Sequence, residues 1–430
     1  MFSDLLRPHQ TRAYNSMATT GHGQIIIPTG GGKTFVMIAD IIRELSNKSD
    51  QTIVVVAPRI LLANQLCSEF FEQNLDGKHN LSIECLHVHS GETIYDSTLK
   101  TDHIVRWQNN VMQTGENRII FTTYHSLHRV VESGILIDTI YFDEAHNGTA
   151  KNFFIPIEQL SHRPRTRKFF FTATPKVSRG KRSANGVRGM CNRKVYGSVL
   201  EQTTAQELID GGSILPPEVI PFKTDRVRDR YNAVEVDADN LKDMIEDMNV
   251  INPKILVAGQ STANIYGILT RTDTLAWLYM QGFEVLHITS KYGANINGQK
   301  VGREEFFNTL TEYGKDENKK FIIFHYSILS EGINVAGLTH TIMLRNLPTI
   351  EMAQTIGRVI RIHPKDRLAM SEGRVPVGAF ELYHKPYGKV CVPLSGKYSE
   401  RIAKRIQDVV DYIFIEGIPP LSYLSLIHIS

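Results

Sequence analysis

The chain of 430 residues lacks most features that mark secreted, membrane or metal-clustered proteins. It has four cysteines, at positions 67, 85, 191 and 391, and no CxxC pair, so the spacing indicates neither a zinc site nor a disulfide framework. No apolar run approaches the roughly 20 residues that span a bilayer, and early polar residues exclude a secretory signal. We therefore expect a soluble intracellular protein with no membrane partner.

A net excess of positive or negative charge is also nearly absent. The chain has 48 lysines and arginines against 45 aspartates and glutamates, which leaves a net charge of +3. Such a balance selects no class of partner, so only local clusters of charge can do so. Hydrophobic residues make up 42% of the chain, enough for two or three cores, and this content excludes wholesale disorder.

Short β-branched and aromatic runs alternate with longer helical patterns along the chain. Runs such as Ile53–Val56 are apolar throughout, which is typical of parallel strands buried on both faces. The predicted strands are Gln24–Pro28, Thr52–Ala57, Ile83–Val88, Arg118–Thr123, Asp138–Phe142 and Arg167–Thr172, then Glu218–Phe222, Ile265–Thr270, Glu284–Thr289, Lys320–His325, Thr339–Leu344 and Ala379–Tyr383. Two successive series predict two doubly wound α/β domains.

A Gly/Pro-rich linker near Gly211–Pro217 separates the two series. We expect domains over residues 1–211 and 212–395, followed by a C-terminal helix and tail over 396–430. In that last segment the apolar residues Ile402, Ile406, Val409, Val410 and Ile413 recur at helical spacing, which predicts one amphipathic helix packed on the body. The final ten residues fit no predicted element.

A glycine-rich loop follows the first predicted strand and precedes a helical pattern. It comprises Thr29, Gly30, Gly31, Gly32, Lys33 and Thr34. Glycines let backbone N–H groups approach an anion, and the helix N-terminus adds partial positive charge. Lys33 can reach the outer phosphates of a nucleotide, and the Thr34 hydroxyl can ligate Mg²⁺. The loop therefore predicts ATP binding.

Two adjacent carboxylates, Asp143 and Glu144, end the predicted strand Asp138–Phe142 and are followed by Ala145 and His146. The carboxyl ends of strands are where ligands bind in open α/β sheets. Asp143 can hold Mg²⁺, and Glu144 can polarise an attacking water as general base.

The order of these and later motifs resembles superfamily 2 helicases of the DEAH-box kind, related to type III restriction subunits and phage helicases. Motifs that carry the resemblance are Leu6–Gln10, Ala57–Arg59, Thr122–Leu127, Thr172–Pro175, Ser330–Val335 and Gln354–Arg361. The resemblance implies two RecA-like domains with the ATP site in the cleft between them. It also implies a bacterial or phage-infected cell, hence a cytoplasmic location.

The resemblance assigns roles to residues that match its motifs. Arg7 and Gln10 would contact the nucleotide base edge, and Gly332 and Asn334 would be further nucleotide contacts; Asn334 stands where the family often has aspartate. Arg59 and Thr123 would meet a nucleic-acid backbone. His146, Thr172 and Thr174 would couple hydrolysis to movement.

The segment Gln354–Arg361 predicts the remaining catalytic groups. Arg358 and Arg361 are three apart, so on a helix they share one face, and Gln354 lies one turn earlier. Positioned arginines stabilise the charge that develops on a transferring phosphoryl group. We expect both arginines to act as such groups and Gln354 to orient the water.

A basic segment over 162–194 holds eleven lysines and arginines and no acidic residue. Within it Arg179, Lys181 and Arg182 follow Pro175 in a glycine-containing stretch, which predicts an adaptable loop on a phosphate backbone. The alternative is a solvated loop that only aids solubility, with the upstream arginines flanking a strand.

These patterns together predict an ATP-dependent helicase or translocase, with ATP and Mg²⁺ as cofactors and DNA as the favoured nucleic acid. An RNA helicase of similar build is one alternative. A second is the motor subunit of a larger restriction or repair assembly, whose partner supplies nuclease or specificity functions.

Overall fold

The computed structural model describes residues 5–75, 81–178, 187–289, 291–326, 335, 337–344, 347–394, 397–417 and 422–424. The chain forms two compact units. The first comprises residues 1–203 together with 419–430, and the second comprises 204–418. The division therefore falls eight residues before the predicted boundary at residue 211. None of the described helices combines the length and the apolar composition needed to cross a membrane.

The first unit is built around a fully parallel sheet of eight strands. Its helices are α1 Pro8–Thr19, α2 Lys33–Asn47, α3 Ile60–Leu75, α4 Thr101–Met112, α5 Leu127–Glu132, α6 Lys151–Ser161 and α7 Arg193–Tyr196. Its strands are β1 His22–Ile26, β2 Thr52–Ala57, β3 Ile83–Val88, β4 Asp96–Ser97, β5 Asn117–Thr123, β6 Thr139–Phe142, β7 Arg167–Thr172, β8 Lys176–Ser178 and β9 Ser198–Gln202. The order across the sheet is β4-β3-β5-β2-β6-β7-β1-β9.

Alternate residues of the central strands pack into two separate cores, one on each face of this sheet. Ile53 and Val55 of β2 pack with α2 and α3, whereas Val54 and Val56 pack with α4, α5 and α6. Because successive side chains of a strand point to opposite faces, an apolar run such as Ile53–Val56 needs helices on both sides. The prediction of a doubly covered parallel sheet is confirmed.

The second unit has a second sheet of eight strands, six of them parallel. Its helices are α8 Ala205–Asp210, α9 Ala233–Glu246, α10 Thr262–Arg271, α11 Thr274–Met280, α12 Arg303–Lys315, α13 Thr349–Val359, α14 Pro364–Ser371 and α15 Lys397–Val410. Its strands are β10 Pro217–Lys223, β11 Lys254–Ala258, β12 Glu284–Thr289, β13 Gly293–Ile296, β14 Gln299–Val301, β15 Phe321–His325, β16 His340–Met343 and β17 Gly388–Leu394. The order is β10-β17-β16-β11-β15-β12-β13-β14, in which β13 is antiparallel to both of its neighbours, β12 and β14.

Two of the predicted strands of this unit are wrong. The segment Ile265–Thr270 lies in α10, where Ile265, Ile268 and Leu269 are buried at helical spacing. The Ser261 side chain caps this helix by accepting from the Asn264 N–H group, so the β-branched residues follow a helix start signal. The segment Ala379–Tyr383 forms a short 3-10 turn over Phe380–Leu382, and the Tyr383 hydroxyl accepts the Gly378 N–H group at 2.9 Å.

Four strands of the second unit were not predicted: β11, which lies at the centre of the sheet, β13, β14 and β17. The strands β11 and β17 have buried apolar residues, but β17 also contains a proline, which breaks the sequence pattern of a strand. The predicted C-terminal helix is confirmed as α15, and its apolar residues Ile402, Ile406, Val409 and Val410 are buried. A last short strand, β18 Ser422–Leu424, pairs in parallel with β8 of the first unit.

Candidate active site

The candidate site of the first unit lies at the carboxyl ends of three neighbouring strands. The strands β6, β7 and β1 are adjacent, with Phe142 opposite Phe170 and Ile26 opposite Thr172 in the register. Because all strands are parallel, the segments that follow Ile26, Phe142 and Thr172 meet at one edge. The sheet therefore brings the glycine loop, the acidic pair and the Thr172–Pro175 segment together.

The glycine loop adopts a backbone that two of its glycines make possible. Gly30 and Gly32 have φ angles of +88° and +81°, in the left-handed region that side chains disfavour. Gly32 is the N-cap of α2, so the helix begins at Lys33 and its first N–H groups face the loop. This is the arrangement that binds phosphate, and it confirms the predicted strand, loop and helix order.

The helix α1 is joined to this loop by side chains near its start. His9 Nε2 lies 2.8 Å from the Gly31 carbonyl oxygen, and the Gln10 amide donates to the Gly31 oxygen at 3.2 Å. The Gln10 carbonyl oxygen accepts the Arg7 backbone N–H group at 2.9 Å. Gln10, predicted as a base contact, thus also supports the loop. His9 was missed as a loop partner, although it stands next to Gln10 in the sequence.

Asp143 and Glu144 form the acidic end of β6. Burial, reinforced by the neighbouring Glu144 and opposed by Lys33, raises the pKa of the Asp143 carboxyl to about 7. The Tyr124 hydroxyl donates to the Asp143 backbone oxygen at 2.8 Å and fixes this corner from the end of β5. A buried carboxyl of raised pKa favours a nearby cation, which fits a magnesium site.

Glu144 occupies a backbone conformation that only tertiary contacts can maintain. Its φ angle is +44°, which is uncommon for a residue with a side chain. In that conformation its carboxylate oxygen lies 3.6 Å from Lys33 Nζ, and both side chains are largely buried. Lys33 Nζ also approaches the Ile27 carbonyl oxygen at 3.5 Å. The predicted phosphate-binding lysine and the predicted base therefore meet across the strand ends.

His146 connects the acidic pair with the Thr172–Pro175 segment. Its Nδ1 atom lies 3.1 Å from the Thr172 hydroxyl, 3.4 Å from the Thr174 hydroxyl and 3.5 Å from Glu144. The Thr174 N–H group donates to the Thr172 hydroxyl at 3.0 Å. The structure thus brings together the three side chains predicted to couple hydrolysis to movement.

Arg59 and Thr123 lie at the carboxyl ends of the next two strands along the same edge, β2 and β5. Ala57 of β2 lies opposite Thr123 of β5, and the Tyr124 N–H group donates to the Ala57 oxygen at 3.1 Å. Arg59 is half-buried and Thr123 is buried. The side chain of Arg59 is therefore more accessible than that of Thr123.

Several side chains of the basic segment have internal roles. The Arg163 guanidinium donates to the Ile135 and Val131 oxygens, and Arg167 pairs with Glu44 at 2.7 Å. Lys168 is buried and donates to the Arg163 and Thr166 oxygens. Arg163 precedes β7, and Arg167 and Lys168 are its first two residues, so these side chains flank Phe169–Phe171 as the alternative interpretation of the segment predicted. Arg179, Lys181 and Arg182 lie outside the described residues, as do Gly332 and Asn334 of the second unit.

The helix α13 of the second unit carries Gln354 and Arg358, both buried and four residues apart. Arg361, however, does not share this helix, contrary to the prediction. The helix ends at Val359, and Arg361 forms an antiparallel bridge with Ile214. Pro364 begins the next helix, α14, and the residue before it, His363, is the extended N-cap of that helix. The two arginines are therefore positioned by different backbone structures.

Lys385 is a residue of this region that sequence reasoning missed. It is buried, and its ammonium group donates to the Val359 oxygen at 2.5 Å and to the Arg361 oxygen at 2.9 Å. Asp366 accepts the Lys385 backbone N–H group at 3.1 Å. Lys385 therefore bridges the carbonyl group of Val359, the residue after Arg358, and that of Arg361. The sequence held no signal for it, since 24 residues separate Lys385 from Arg361.

Part of the first unit matches a known protein family. Residues 4–177 match the family described as the type III restriction enzyme, res subunit. No curated protein matches the chain in sequence.

Solved structures resemble almost the whole chain in fold. The DNA-bound ATP-dependent Type ISP restriction-modification enzyme LlaBIII has a TM-score of 0.64 and 15% identity, over 97% of this chain and 31% of its own. A fragment of a putative HsdR subunit of a type I restriction enzyme from Vibrio vulnificus has a TM-score of 0.56 and 14% identity, over 96% of this chain and 66% of its own. Dbp5 of S. cerevisiae, bound to RNA and ADP BeF3, has a TM-score of 0.55 and 14% identity, over 98% of this chain and 94% of its own.

At such identities the likeness concerns the fold: tandem RecA-like units. The chain spans less than a third of the Type ISP enzyme.

Proposed function

We infer that this chain, a superfamily 2 helicase by the family match of its first unit and by the fold of both units, is an ATP-hydrolysing motor that moves along or unwinds nucleic acid. The observation that carries the proposal is the approach of Lys33 to Glu144 at 3.6 Å beneath the glycine loop. A glycine loop alone binds phosphate. A loop whose lysine lies beside a buried pair of carboxylates can also hydrolyse the bound nucleotide.

The chain's own residues divide the work of holding ATP. The backbone N–H groups of the loop, from Thr29 to Gly32, bind phosphate oxygens, and Lys33 supplies a positive charge to the outer phosphates. Arg7 and Gln10 are proposed to contact the base. Thr34 and Asp143 are proposed to hold Mg²⁺, which when bound would neutralise phosphate charge.

Glu144 is proposed as the general base, because its conformation directs a buried carboxylate toward the loop lysine. Arg358 and Arg361 are proposed to stabilise the charge that develops on the γ-phosphoryl group, and Gln354 to orient the water. Gly332 and Asn334 are proposed as further nucleotide contacts.

His146, Thr172 and Thr174 are proposed as the coupling group. Their support is the continuous chain of contacts from Glu144 through His146 to the backbone of Thr174. A change in the charge around Glu144 would alter this chain of contacts, and with it the segment that follows β7.

DNA is the favoured nucleic acid, because the family match is to a restriction subunit and a similar solved structure is described as bound to DNA. Arg59, Thr123, Arg179, Lys181 and Arg182 are proposed as backbone contacts. RNA is the alternative, since another similar structure is described as bound to RNA. Backbone contacts of this kind carry little sequence information.

The test is the rate of ATP hydrolysis of the full chain with single-stranded DNA, duplex DNA, single-stranded RNA or no nucleic acid. We expect stimulation of at least tenfold by one of the DNA forms. Strand displacement with 3′ or 5′ overhangs then separates unwinding from translocation. No hydrolysis in any condition, with intact nucleotide binding, would contradict an autonomous motor.

The second candidate, a motor subunit of a larger assembly, rests on the 31% of the Type ISP enzyme that this chain spans. It predicts stimulated hydrolysis without strand displacement.

A further inference from the structure

Three potential metal ligands meet in the first unit, away from the phosphate loop. Cys85 and His87 lie two residues apart on β3, so their side chains share one face of the strand. Cys67 comes from α3, which packs on that same face in a common core. The two sulfur atoms and one ring nitrogen of His87 all lie within 4.8 Å of one another, and all three residues are buried.

The separation of the sulfurs suits a shared ion better than a covalent bond. Cys67 Sγ and Cys85 Sγ are 3.9 Å apart. Two thiolates on one tetrahedral Zn²⁺ lie about 3.8 Å apart, given zinc–sulfur bonds of about 2.3 Å. A disulfide requires about 2.05 Å.

His87 has the hydrogen-bonding pattern of a metal-binding histidine. Its Nδ1 atom lies 2.9 Å from His89 Nε2, while its Nε2 atom is buried without a hydrogen-bond partner. An outer partner on one ring nitrogen commonly leaves the other nitrogen to the metal. The ring is held by stacking on Tyr95 at 5.6 Å and on Phe121 at 5.5 Å between centroids. A buried polar atom that lacks a partner otherwise costs stability.

The outer contacts continue to the start of α3. His89 Nε2 also lies 3.2 Å from the Asn64 side-chain oxygen, and the Asn64 amide donates to the Glu92 oxygen at 3.0 Å. Asn64 lies in the first turns of α3, shortly after Arg59. An ion held by Cys67, Cys85 and His87 would therefore fix the helix that follows Arg59 against β3.

We propose that Cys67, Cys85 and His87 form a structural site for a thiophilic divalent cation, Zn²⁺ foremost. Two thiolates and a neutral imidazole balance the charge of a divalent ion, so the buried site carries no net charge. Binding releases two thiol protons to solvent and changes no oxidation state.

The test is the zinc content of the full chain, purified without an affinity tag under reducing conditions and dialysed against zinc-containing and then metal-free buffer. We expect about one zinc per chain by mass spectrometry. The variants Cys67→Ser and His87→Phe should lose it, the phenylalanine retaining the stacking between Tyr95 and Phe121. The matched variant Cys191→Ser, altered at an exposed cysteine outside the trio, should retain it.

A second measurement does not depend on any variant folding. Co²⁺ added to chelator-treated wild-type protein should give the thiolate-to-cobalt charge-transfer band and raise the melting temperature by roughly 5 °C or more at saturation. Absence of stoichiometric zinc together with absence of this band would overturn the proposal, leaving the trio as a packed core. Zinc retained by the double variant Cys67→Ser/Cys85→Ser would overturn it equally. A disulfide between these cysteines in protein isolated under reducing conditions would also contradict it.

Discussion

The two units use different parts of a similar sheet to position their candidate residues. In the first unit, Lys33 follows β1 while Glu144 and His146 follow β6, and Glu144 contacts both of the other side chains. In the second unit, Arg358 ends a helix and Arg361 lies in a bridge beyond it. The first arrangement follows from strand order, whereas the second depends on the buried side chain of Lys385.

This difference has an energetic side. A strand-end site is held by the whole sheet, because the register fixes each loop through many hydrogen bonds. The arginine segment is held at its end by one ammonium group and by backbone bonds to Ile214 and Leu215. We therefore expect substitutions in the first unit to remove chemistry outright, and those in the second unit to reduce it.

The largest effect is expected at Lys33 and Glu144. Lys33→Ala should abolish ATP turnover, because a positioned phosphate charge is lost. Glu144→Gln should bind ATP and fail to hydrolyse it, because the shape remains and the base does not. Stimulated hydrolysis and nucleotide affinity are measured together, with the exposed Lys151→Ala as control. Near wild-type turnover by Glu144→Gln would show that another group acts as base.

The next effect is expected at the arginines of the second unit. Arg358→Ala and Arg361→Ala should each lower stimulated hydrolysis at least tenfold, about 1.4 kcal/mol of barrier, with nucleotide affinity largely kept. The control is Arg374→Ala, since Arg374 is an exposed arginine of the same unit. Rates within twofold of wild type would mean that both arginines serve only the fold.

A smaller and pH-dependent effect is expected at Lys385. Burial lowers the pKa of this lysine to about 7, while the nearby Asp366 opposes the decrease and Arg361 adds to it. Between pH 7 and the unfolded value near 10.4, the unfolded chain binds the extra proton, so the free energy of unfolding contributed by Lys385 rises with pH.

Lys385→Met should remove this rise and lower the turnover number severalfold, because the carbonyl groups beside both arginines lose their donor. Denaturant unfolding of wild type and variant at pH 7 and pH 9 measures the difference, about 1–2 kcal/mol. Identical pH slopes together with an unchanged turnover number would contradict the positioning role.

The sequence predicted the first unit more fully than the second. The loop, the acidic pair and the strand of Thr172 were all found, because each motif is local and adjacent strands bring them together. The predicted helical placement of Arg361 is wrong, because a spacing of three residues places two side chains on one face only where the helix continues, and α13 ends at Val359. Lys385 and the contact of Cys67 with Cys85 were missed, since both connect segments distant in sequence.

The smallest effect concerns the basic segment, which the structure divides. Arg163, Arg167 and Lys168 bond within the first unit and are not expected to contact nucleic acid. Before Pro175 this leaves the exposed Arg165, and we expect the phosphate contacts mainly from the part after Pro175, from Arg179, Lys181, Arg182 and Arg188. Replacing these four by alanine should weaken nucleic-acid affinity while hydrolysis without nucleic acid stays unchanged.

Salt titration distinguishes contact from general solubility. The slope of log affinity against log salt should become shallower by about 0.7–0.9 per lost phosphate contact, because each contact releases counterions from the strand. Arg193→Ala/Lys194→Ala serves as the matched control, since both residues are basic and exposed but lie at the start of α7. An unchanged slope in the fourfold variant would assign this segment to solubility. An equal change in the control would assign the effect to overall charge instead of to local contacts.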